Sequence, residues 1–385
     1  MTTILFLIVL AILVFVHELG HFTAAKIFGI RVDEFAIGFP PKIFSWKRGE
    51  TEYKLNMIPL GGYVKIFGED PDEDSINGPD SKRSIVNASK WKQIVVLLSG
   101  ILMNIVFAWI LISASFNFGL ISSIDEQYKD KAQNPSVMIL SVLKDSPSYT
   151  AGLKEGDYII KVVSDGIQYG TDNPKDISVS KIQEIISTNK SGSIEIFYKR
   201  NNEISKTNVS PSLLDTSSVE QSDIGEDIVK EASGKKLIGI SMASVGTIKF
   251  GFFQSFYEGA KLTYIETINI TKGIYSLIAG AIKGEKGLFA QVAGPIGIAG
   301  MVGEASDIGI SYLLGFIAMI SINLAILNLV PFPALDGGRV LFVLVEIIIR
   351  KKIKSVVVNW LNFIGFALLI LLMIFVTYKD ILRLF

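Results

Sequence analysis

Four long apolar stretches alternate with polar segments along the chain. Three of them contain no Asp, Glu, Lys or Arg: Gln93–Ile124, Ile308–Leu335 and Ser355–Tyr378. The fourth runs from Thr2 to Val16, passes through a short polar cluster and continues to Phe28. Because about 20 apolar residues suffice to cross a bilayer as a helix, the pattern predicts a multi-pass α-helical membrane protein with about four spans.

The apolar N-terminus has an alternative interpretation as a cleaved signal peptide. Its first residues carry no basic side chain, and no clear small-residue cleavage site follows. The helical pattern also continues through His17–His21 instead of stopping there. A signal peptide has a basic start, a short apolar core and a cleavage site, so the segment is better interpreted as a membrane helix.

Lys and Arg near the spans predict the orientation. Arg350–Lys354 holds four basic residues in five, and the segment after the first span adds more, from Lys26 and Arg31 to Lys92. Basic loops remain on the cytoplasmic side. We therefore expect both of these segments in the cytoplasm, and the two termini and the long stretch 125–307 outside it.

The pattern divides the chain into seven parts. We predict, in order, a first transmembrane helix (1–28), a cytoplasmic-side membrane-associated β-hairpin region (29–92), a second transmembrane helix (93–124), an extracytoplasmic α+β domain (125–242), amphipathic extracytoplasmic linker helices (243–307), a third transmembrane helix (308–349), and a basic loop with a fourth transmembrane helix (350–385). Within 29–92, Val32–Ile43 and Glu52–Phe67 have the composition of hairpin strands, with a turn at Pro59–Gly62. Charges interrupt the apolar pattern of 248–286, which favours a helix lying on the outer membrane surface.

Composition narrows the chemistry. Only 19% of residues are charged, the mean hydropathy is +0.44, and the formal net charge is zero, so nothing favours nucleic-acid binding. The absence of cysteine excludes disulfides, thiol nucleophiles and Cys-ligated metals. The chain has two histidines, and both lie in the polar cluster of the first span.

The motif His17-Glu18-Leu19-Gly20-His21 is the main candidate for chemistry. Residues four apart share one face of a helix, so both imidazoles can reach one metal ion, and Glu18 lies beside them as a general base. This is the arrangement of zinc proteases. Ionisable groups inside a membrane helix are costly and usually functional; the alternative is a pair of polar side chains at a helix interface.

Catalytic zinc generally takes three protein ligands, so a carboxylate must join the two histidines. Asp336 is the best candidate, because the prolines and glycines of Asn328–Gly338 interrupt the third span where it lies. Glu346 is the rival, although its neighbours resemble ordinary helix. Asp336 could also simply end a helix at the cytoplasmic surface.

The run Ser146–Ile159, with Gly152-Leu153 and Gly156-Asp157, resembles the signature of PDZ domains. Such domains bind extended peptides by adding a strand to a sheet edge. The resemblance implies an extracytoplasmic PDZ-like domain with a possible peptide ligand; a structural module without a ligand is the alternative.

His17–His21 together with Asn-x-x-Pro-x-Pro-x-Leu-Asp-Gly at 328–337, four spans and one outer domain resembles the site-2 protease family of intramembrane zinc metalloproteases, closest to the bacterial regulator-of-sigma-E protease group. Gly61-Gly62-Tyr63-Val64-Lys65 is similar to the family's membrane-associated β-loop, and Gln291–Ile298 to its segment before the third span. The second-span motif departs from the family, since Gly100 and Asn104 lack the proline between them, and so does the run Gly38–Pro41.

The resemblance implies one Zn²⁺ held by His17, His21 and Asp336, with Glu18 as the catalytic residue. It implies substrate contacts at Asn323, Asn328, Gly61, Gly62 and Tyr63. It further implies a multi-pass protein of the bacterial inner membrane that cuts the transmembrane segment of single-span proteins, such as anti-sigma factors or signal-peptide remnants, in regulated intramembrane proteolysis. A non-catalytic PDZ scaffold in the lipid bilayer and an intramembrane metal transporter are the alternatives; a transporter commonly shows internal repeats.

Overall fold

The computed structural model describes residues 2–69, 72–123, 131–170, 178–200, 203–213, 236–284 and 293–384. The helices in these ranges are α1 (Thr2–Ile27), α2 (Glu73–Asn77), α3 (Lys90–Phe118), α4 (Pro147–Thr150), α5 (Val179–Thr188), α6 (Phe252–Lys283), α7 (Pro295–Ile308), α8 (Ile310–Leu329), α9 (Asp336–Ile349) and α10 (Ser355–Leu384). The strands are β1 (Val32–Arg48), β2 (Thr51–Ile66), β3 (Leu120–Ser123), β4 (Ala132–Val142), β5 (Tyr158–Ser164), β6 (Ile167–Tyr169), β7 (Ile194–Arg200), β8 (Glu203–Val209), β9 (Ser212–Leu213), β10 (Lys236–Leu237) and β11 (Ile240–Ile248).

Four helices in the described ranges are long and apolar enough to cross a membrane, as the sequence predicted: α1, α3, α8 and α10. Small residues let the first two approach closely, which is a common way for membrane helices to pack. A Cβ added at Gly20 of α1 would lie 2.4 Å from the backbone oxygen of Ser99 in α3. On its other side, α1 packs through Val9 and Leu13 against Val302 of α7 and Leu313 of α8.

Two predicted span boundaries are wrong. The second helix ends at Phe118 instead of continuing to 124, because Gly119 has a φ of +105° and the chain then enters strand β3. The range 308–349 is not one helix but two, α8 and α9, separated by an elbow at 330–335. Pro331 and Pro333 lack the N–H that a continuing helix would need, which explains the break.

Strands β1 and β2 pair as a small antiparallel sheet beside α1. The first strand continues to Arg48, beyond its predicted end at Ile43, and the second runs unbroken through the predicted turn at Pro59–Gly62. Both strands fold back on themselves, so that Ala36 pairs with Tyr63 on one side and with Lys54 on the other. Residues 62–66 therefore form one edge of this sheet and residues 42–48 the other. Val32, Phe35 and Val64 pack against Ala25 of α1, which fixes the first edge beside that helix.

Ion pairs hold the segment after this sheet in place. Glu50, in the turn between β1 and β2, accepts from Lys26 Nζ at 2.6 Å and from Arg83 Nη1 at 2.6 Å. Arg31 pairs with Asp33 at 2.6 Å and with Asp80 at 2.7 Å. Arg83 and Lys26 together lower the pKa of the Glu50 carboxyl to about 2.

This lowered pKa predicts an acid sensitivity. The folded pKa of Glu50 lies below its ordinary value of 4.5, so its stabilisation is present above that pH and is lost as the pH falls toward about 2. We expect pepsin to cut residues 72–89 increasingly fast over that interval, as followed by mass spectrometry. The Glu50→Gln variant should be cut readily already at pH 4.5. A pH profile identical to that of the wild type would contradict the role of Glu50 in holding this segment.

A seven-stranded sheet forms the larger β structure, with the strand order β3-β11-β4-β5-β7-β8 and β6 paired to β5. Its core packs Ile182, Ile185 and Ile186 of α5 against Ile159 and Ile196 of the sheet. The predicted domain boundaries 125–242 are too narrow, because the sheet begins at β3 and ends with β11 at Ile248. Residues 243–248 belong to this domain because they pair with both β3 and β4.

Helix α6 differs from the predicted helix on the outer membrane surface. Leu262, Ile270 and Ile274 pack against a cluster that contains Ala108 of α3 and Ile322 of α8. Trp109 Nε1 of α3 also donates to the backbone oxygen of Phe256 at 2.8 Å. The apolar side of α6 thus lies along α3 and α8. Side chains of these two helices can cover an apolar surface as lipid does.

Candidate metal centre

The two histidines lie one turn apart on α1 and are buried. The Nε2 atoms of His17 and His21 are 3.2 Å apart, and the rings meet edge to face. The i, i+4 spacing of the motif and the close packing of α1 on α3 hold them there. Glu18 lies on the same turn, adjacent to this pair in sequence.

The elbow at 330–335 brings Asp336, the first residue of α9, to the same point. Its Oδ2 atom lies 3.0 Å from His17 Nε2 and 3.2 Å from His21 Nε2. Ligands about 2.0–2.1 Å from a tetrahedral zinc ion are roughly 3.3 Å apart, so these spacings suit one ion. The rival Glu346 lies elsewhere, where it pairs with Lys90 and accepts from the backbone N–H of Ile353 at 2.8 Å.

The donor set fits a metal better than a hydrogen-bonded cluster. Asp336 Oδ2 is buried and has no hydrogen bond of acceptable geometry within the described residues, although two ring nitrogens lie close to it. His21 Nδ1 lies 2.8 Å from the backbone oxygen of Val96, which places a proton on Nδ1 and leaves Nε2 free as a donor of electrons. The lone pairs of His21 Nε2 and Asp336 Oδ2 therefore converge on one point, and His17 Nε2 lies 3.2 Å from the first atom and 3.0 Å from the second.

Gly100 of α3 forms the wall behind this cluster. A Cβ at this position would lie 2.4 Å from His21 Nε2 and 2.8 Å from His17 Cε1. One turn later, the fully buried Asn104 places its Nδ2 atom 3.3 Å from His17 Nδ1, while its Oδ1 atom has no partner in the described residues. Glycine is required here because any side chain would displace a ring.

Glu18 faces the β1–β2 sheet. The Glu18 carboxylate lies close to the backbone N–H of Val64, on the 62–66 edge. Arg339 of α9 carries a charge that interacts with Glu18 and forms an ion pair with Glu69, just after β2. The general-base candidate thus lies between a positive charge and a sheet edge.

The other predicted site residues lie on two elements, helix α8 and strand β2. Asn328 Nδ2, at the end of α8, lies 3.5 Å from His17 Nε2, which places it at the cluster. Asn323 lies on α8 but makes no side-chain hydrogen bond within the described part of the chain. Gly61, Gly62 and Tyr63 lead into the 62–66 edge; Gly62 pairs with Ile37, and Tyr63 donates its hydroxyl to Glu34 Oε2 at 2.9 Å.

Sequence reasoning did not place Arg339 or Asn104 at the site. The sequence did contain an indication for Asn104, since it is a polar residue one helical turn after Gly100 in a span without charges. The indication for Arg339 was weaker, because a cation three residues after a candidate ligand is equally typical of the end of a membrane span.

Comparison with known proteins gives a consistent result. The model of peptidase family M50 matches residues 5–372. A chain of Clostridium perfringens that bears the name of a zinc metalloprotease is 34% identical over 376 residues, which cover 97% of each chain. The regulator of sigma-W protease RasP of Bacillus subtilis is 29% identical over 459 aligned positions, covering 100% of this chain and 99% of that protein. Zinc metalloprotease RasP of Oceanobacillus iheyensis is also 29% identical, with the same coverage.

Proposed function

The chain belongs to peptidase family M50 and is an intramembrane zinc metalloprotease, and from that premise we propose that His17, His21 and Asp336 hold its zinc ion and that Glu18 is its general base. The observation that carries the proposal is the convergence of His17 Nε2, His21 Nε2 and Asp336 Oδ2 within 3.2 Å of one another. These three side chains come from two helices, and Asp336 lies 315 positions after His21 in the sequence.

Each side chain has a distinct part in the reaction. Zinc, when bound, acts as a Lewis acid that makes water a nucleophile at neutral pH. Glu18 accepts the proton of the attacking water and delivers it to the leaving amine. Val96 O fixes the His21 ring, and Asn104 contacts the outer nitrogen of His17, so both imidazoles keep Nε2 toward the cluster. We propose that Asn328, whose Nδ2 atom lies 3.5 Å from His17 Nε2, donates a hydrogen bond to the substrate carbonyl.

We propose that the substrate is the transmembrane segment of a single-span membrane protein, as the sigma-W regulator name of the RasP relative suggests. A helical peptide bond is shielded by its own hydrogen bonds, so the segment must unwind locally. Adding it as a strand to the 62–66 edge would pair the freed backbone groups, which lipid cannot do. Gly61, Gly62 and Tyr63 lie at that edge, and Val64 links it to Glu18.

We assign the termini and the seven-stranded sheet domain to the extracytoplasmic side, because the basic loops of the sequence favour the cytoplasm. The PDZ-like motif Ser146–Ile159 spans α4 and the start of β5 in this domain. A cavity of about 1450 Å³ lies between the domain and helices α7 and α8, lined by Tyr158, Glu304 and Tyr312 among others. A domain in this position would screen the outer ends of incoming substrates.

The test uses full-length protein in detergent, a model single-span substrate and matched carboxylate variants. We expect one zinc ion per chain and cleavage inside the hydrophobic segment, measured by metal analysis and mass spectrometry. Asp336→Asn should lose zinc and cleavage, whereas Glu346→Gln should retain zinc because its side chain lies away from the cluster. Zinc retained by Asp336→Asn would overturn the ligand assignment; bound zinc without cleavage of any transmembrane segment would favour a non-catalytic scaffold.

A further inference from the structure

Helix α10 is attached to the rest of the protein by one narrow face. Only 11% of the most apolar 18-residue stretch of this helix is buried. Among residues 355–382, the buried ones are Gly365, Val376 and Asp380, and their spacing of 11 and then four positions puts them on one side of the helix. A helix held so sparsely has few contacts, and each of them therefore has a large share in fixing its position.

One of these contacts is the elbow that precedes Asp336. Asn362 Oδ1 accepts a hydrogen bond from the backbone N–H of Ala334 at 3.1 Å. One turn later, Gly365 lies so close that an added Cβ would be 2.4 Å from the backbone oxygen of Pro333. Asn362 and Gly365 thus contact two consecutive residues of the elbow from the same side of α10.

The elbow needs such support. Ala334 has a φ of +76°, in the left-handed region that residues other than glycine rarely adopt. Prolines at 331 and 333 remove two backbone donors, and the N–H of Ala334 donates to the Asn362 side chain instead of to a helical carbonyl. An unpaired N–H at membrane depth is costly, so the Asn362 oxygen stabilises this conformation over alternatives.

We infer that Asn362 and Gly365 of α10 form a clamp on Pro333 and Ala334 of the elbow that positions Asp336 for metal binding. Asp336 follows Ala334 by two residues, so the backbone direction at the elbow determines where its carboxylate points. Asn362 is accordingly a positioning residue and does not touch the reacting atoms. The inference rests on the proposed role of Asp336 as a zinc ligand.

The test compares Asn362→Ala with Asn359→Ala in the full-length protein. Asn359 lies one turn earlier on α10, is exposed, and its side chain makes no hydrogen bond within the described residues. Residues that orient a metal ligand typically change metal affinity by about 10–100-fold. We expect Asn362→Ala to bind zinc at least about tenfold more weakly in a chelator competition and to alter the visible spectrum of the cobalt-loaded protein. Its kcat should fall while KM stays unchanged, and Asn359→Ala should match the wild type.

A second pair of variants tests the same clamp without removing a hydrogen bond. Gly365→Ala should weaken zinc binding in the same way, because its methyl group would displace α10 from Pro333. Phe366→Ala, at a side chain that is 58% exposed, should not. Wild-type zinc affinity and cobalt spectra in both Asn362→Ala and Gly365→Ala would overturn the clamp. Zinc retained by Asp336→Asn would instead overturn the ligand assignment on which it rests.

Discussion

Glu18→Gln should abolish cleavage of a transmembrane substrate while zinc remains bound. The amide keeps nearly the same shape but cannot accept a proton, and general acid–base groups contribute about 10²–10⁴-fold to rate. His17, His21 and Asp336 are untouched by this change, and their mutual distances of 3.0–3.2 Å are set by α1, α3 and α9. The measurement is the rate of cleavage within the hydrophobic segment, with zinc content determined on the same samples.

The matched control for this variant is Glu184→Gln. Glu184 lies on α5 in the sheet domain, is exposed, and pairs only with Lys181 among the described residues. The Glu184→Gln variant should cleave the substrate at the wild-type rate. Cleavage that survives in Glu18→Gln at an undiminished rate would show that another group, or a contaminating protease, removes the proton.

Gly100→Ala should weaken zinc binding strongly although it adds only a methyl group. That methyl carbon would lie 2.4 Å from His21 Nε2 and 2.8 Å from His17 Cε1. The opposing backbone cannot yield easily, because α1 and α3 already meet at Gly20 and Ser99. Both rings must turn away, and we expect zinc affinity to fall by at least about tenfold, the range seen when the support of a metal ligand is lost.

Gly273→Ala on α6 provides the comparison. A Cβ there would meet nothing within 4 Å, and alanine in a helix interior is favoured over glycine by roughly 0.5–1 kcal/mol. This variant should bind zinc and cleave substrate normally, with equal or higher thermal stability. If Gly100→Ala also bound zinc normally, the close contact between α3 and the metal centre would be wrong.

The spans and the principal chemistry were predictable from sequence because both depend on local patterns. Long runs without charge predict α1, α3, α8 and α10, since lipid admits only helices with internally paired backbones. The spacing of His17 and His21 depends only on the period of a helix. The sheet of β1 and β2 was also anticipated from strand composition.

Other boundaries failed because distant pairing set them. Residues 243–248 belong to the sheet domain because β11 pairs with β3 and β4, which no local pattern reveals. Helix α6 was assigned to the membrane surface from its charges, yet Leu262 and Ile270 pack along α3 and α8. The sequence of 308–349 contains Pro331 and Pro333, which interrupt a helix. The structure shows that this interruption separates two helices, α8 and α9.

By itself, the sequence determined four segments that are long and apolar enough to cross a membrane, and it placed His17, Glu18 and His21 on one turn of a helix. It favoured Asp336 over Glu346 as the third carboxylate, and only the tertiary structure shows which of the two lies beside the histidines. The elbow turns Asp336 toward the histidines, while Glu346 is bound to Lys90 and the Ile353 backbone. The reason is physical: helix periodicity fixes neighbours within a turn, whereas a ligand 315 positions after His21 is placed by the packing of Gly100, Asn104 and the elbow, which exists only in the folded protein.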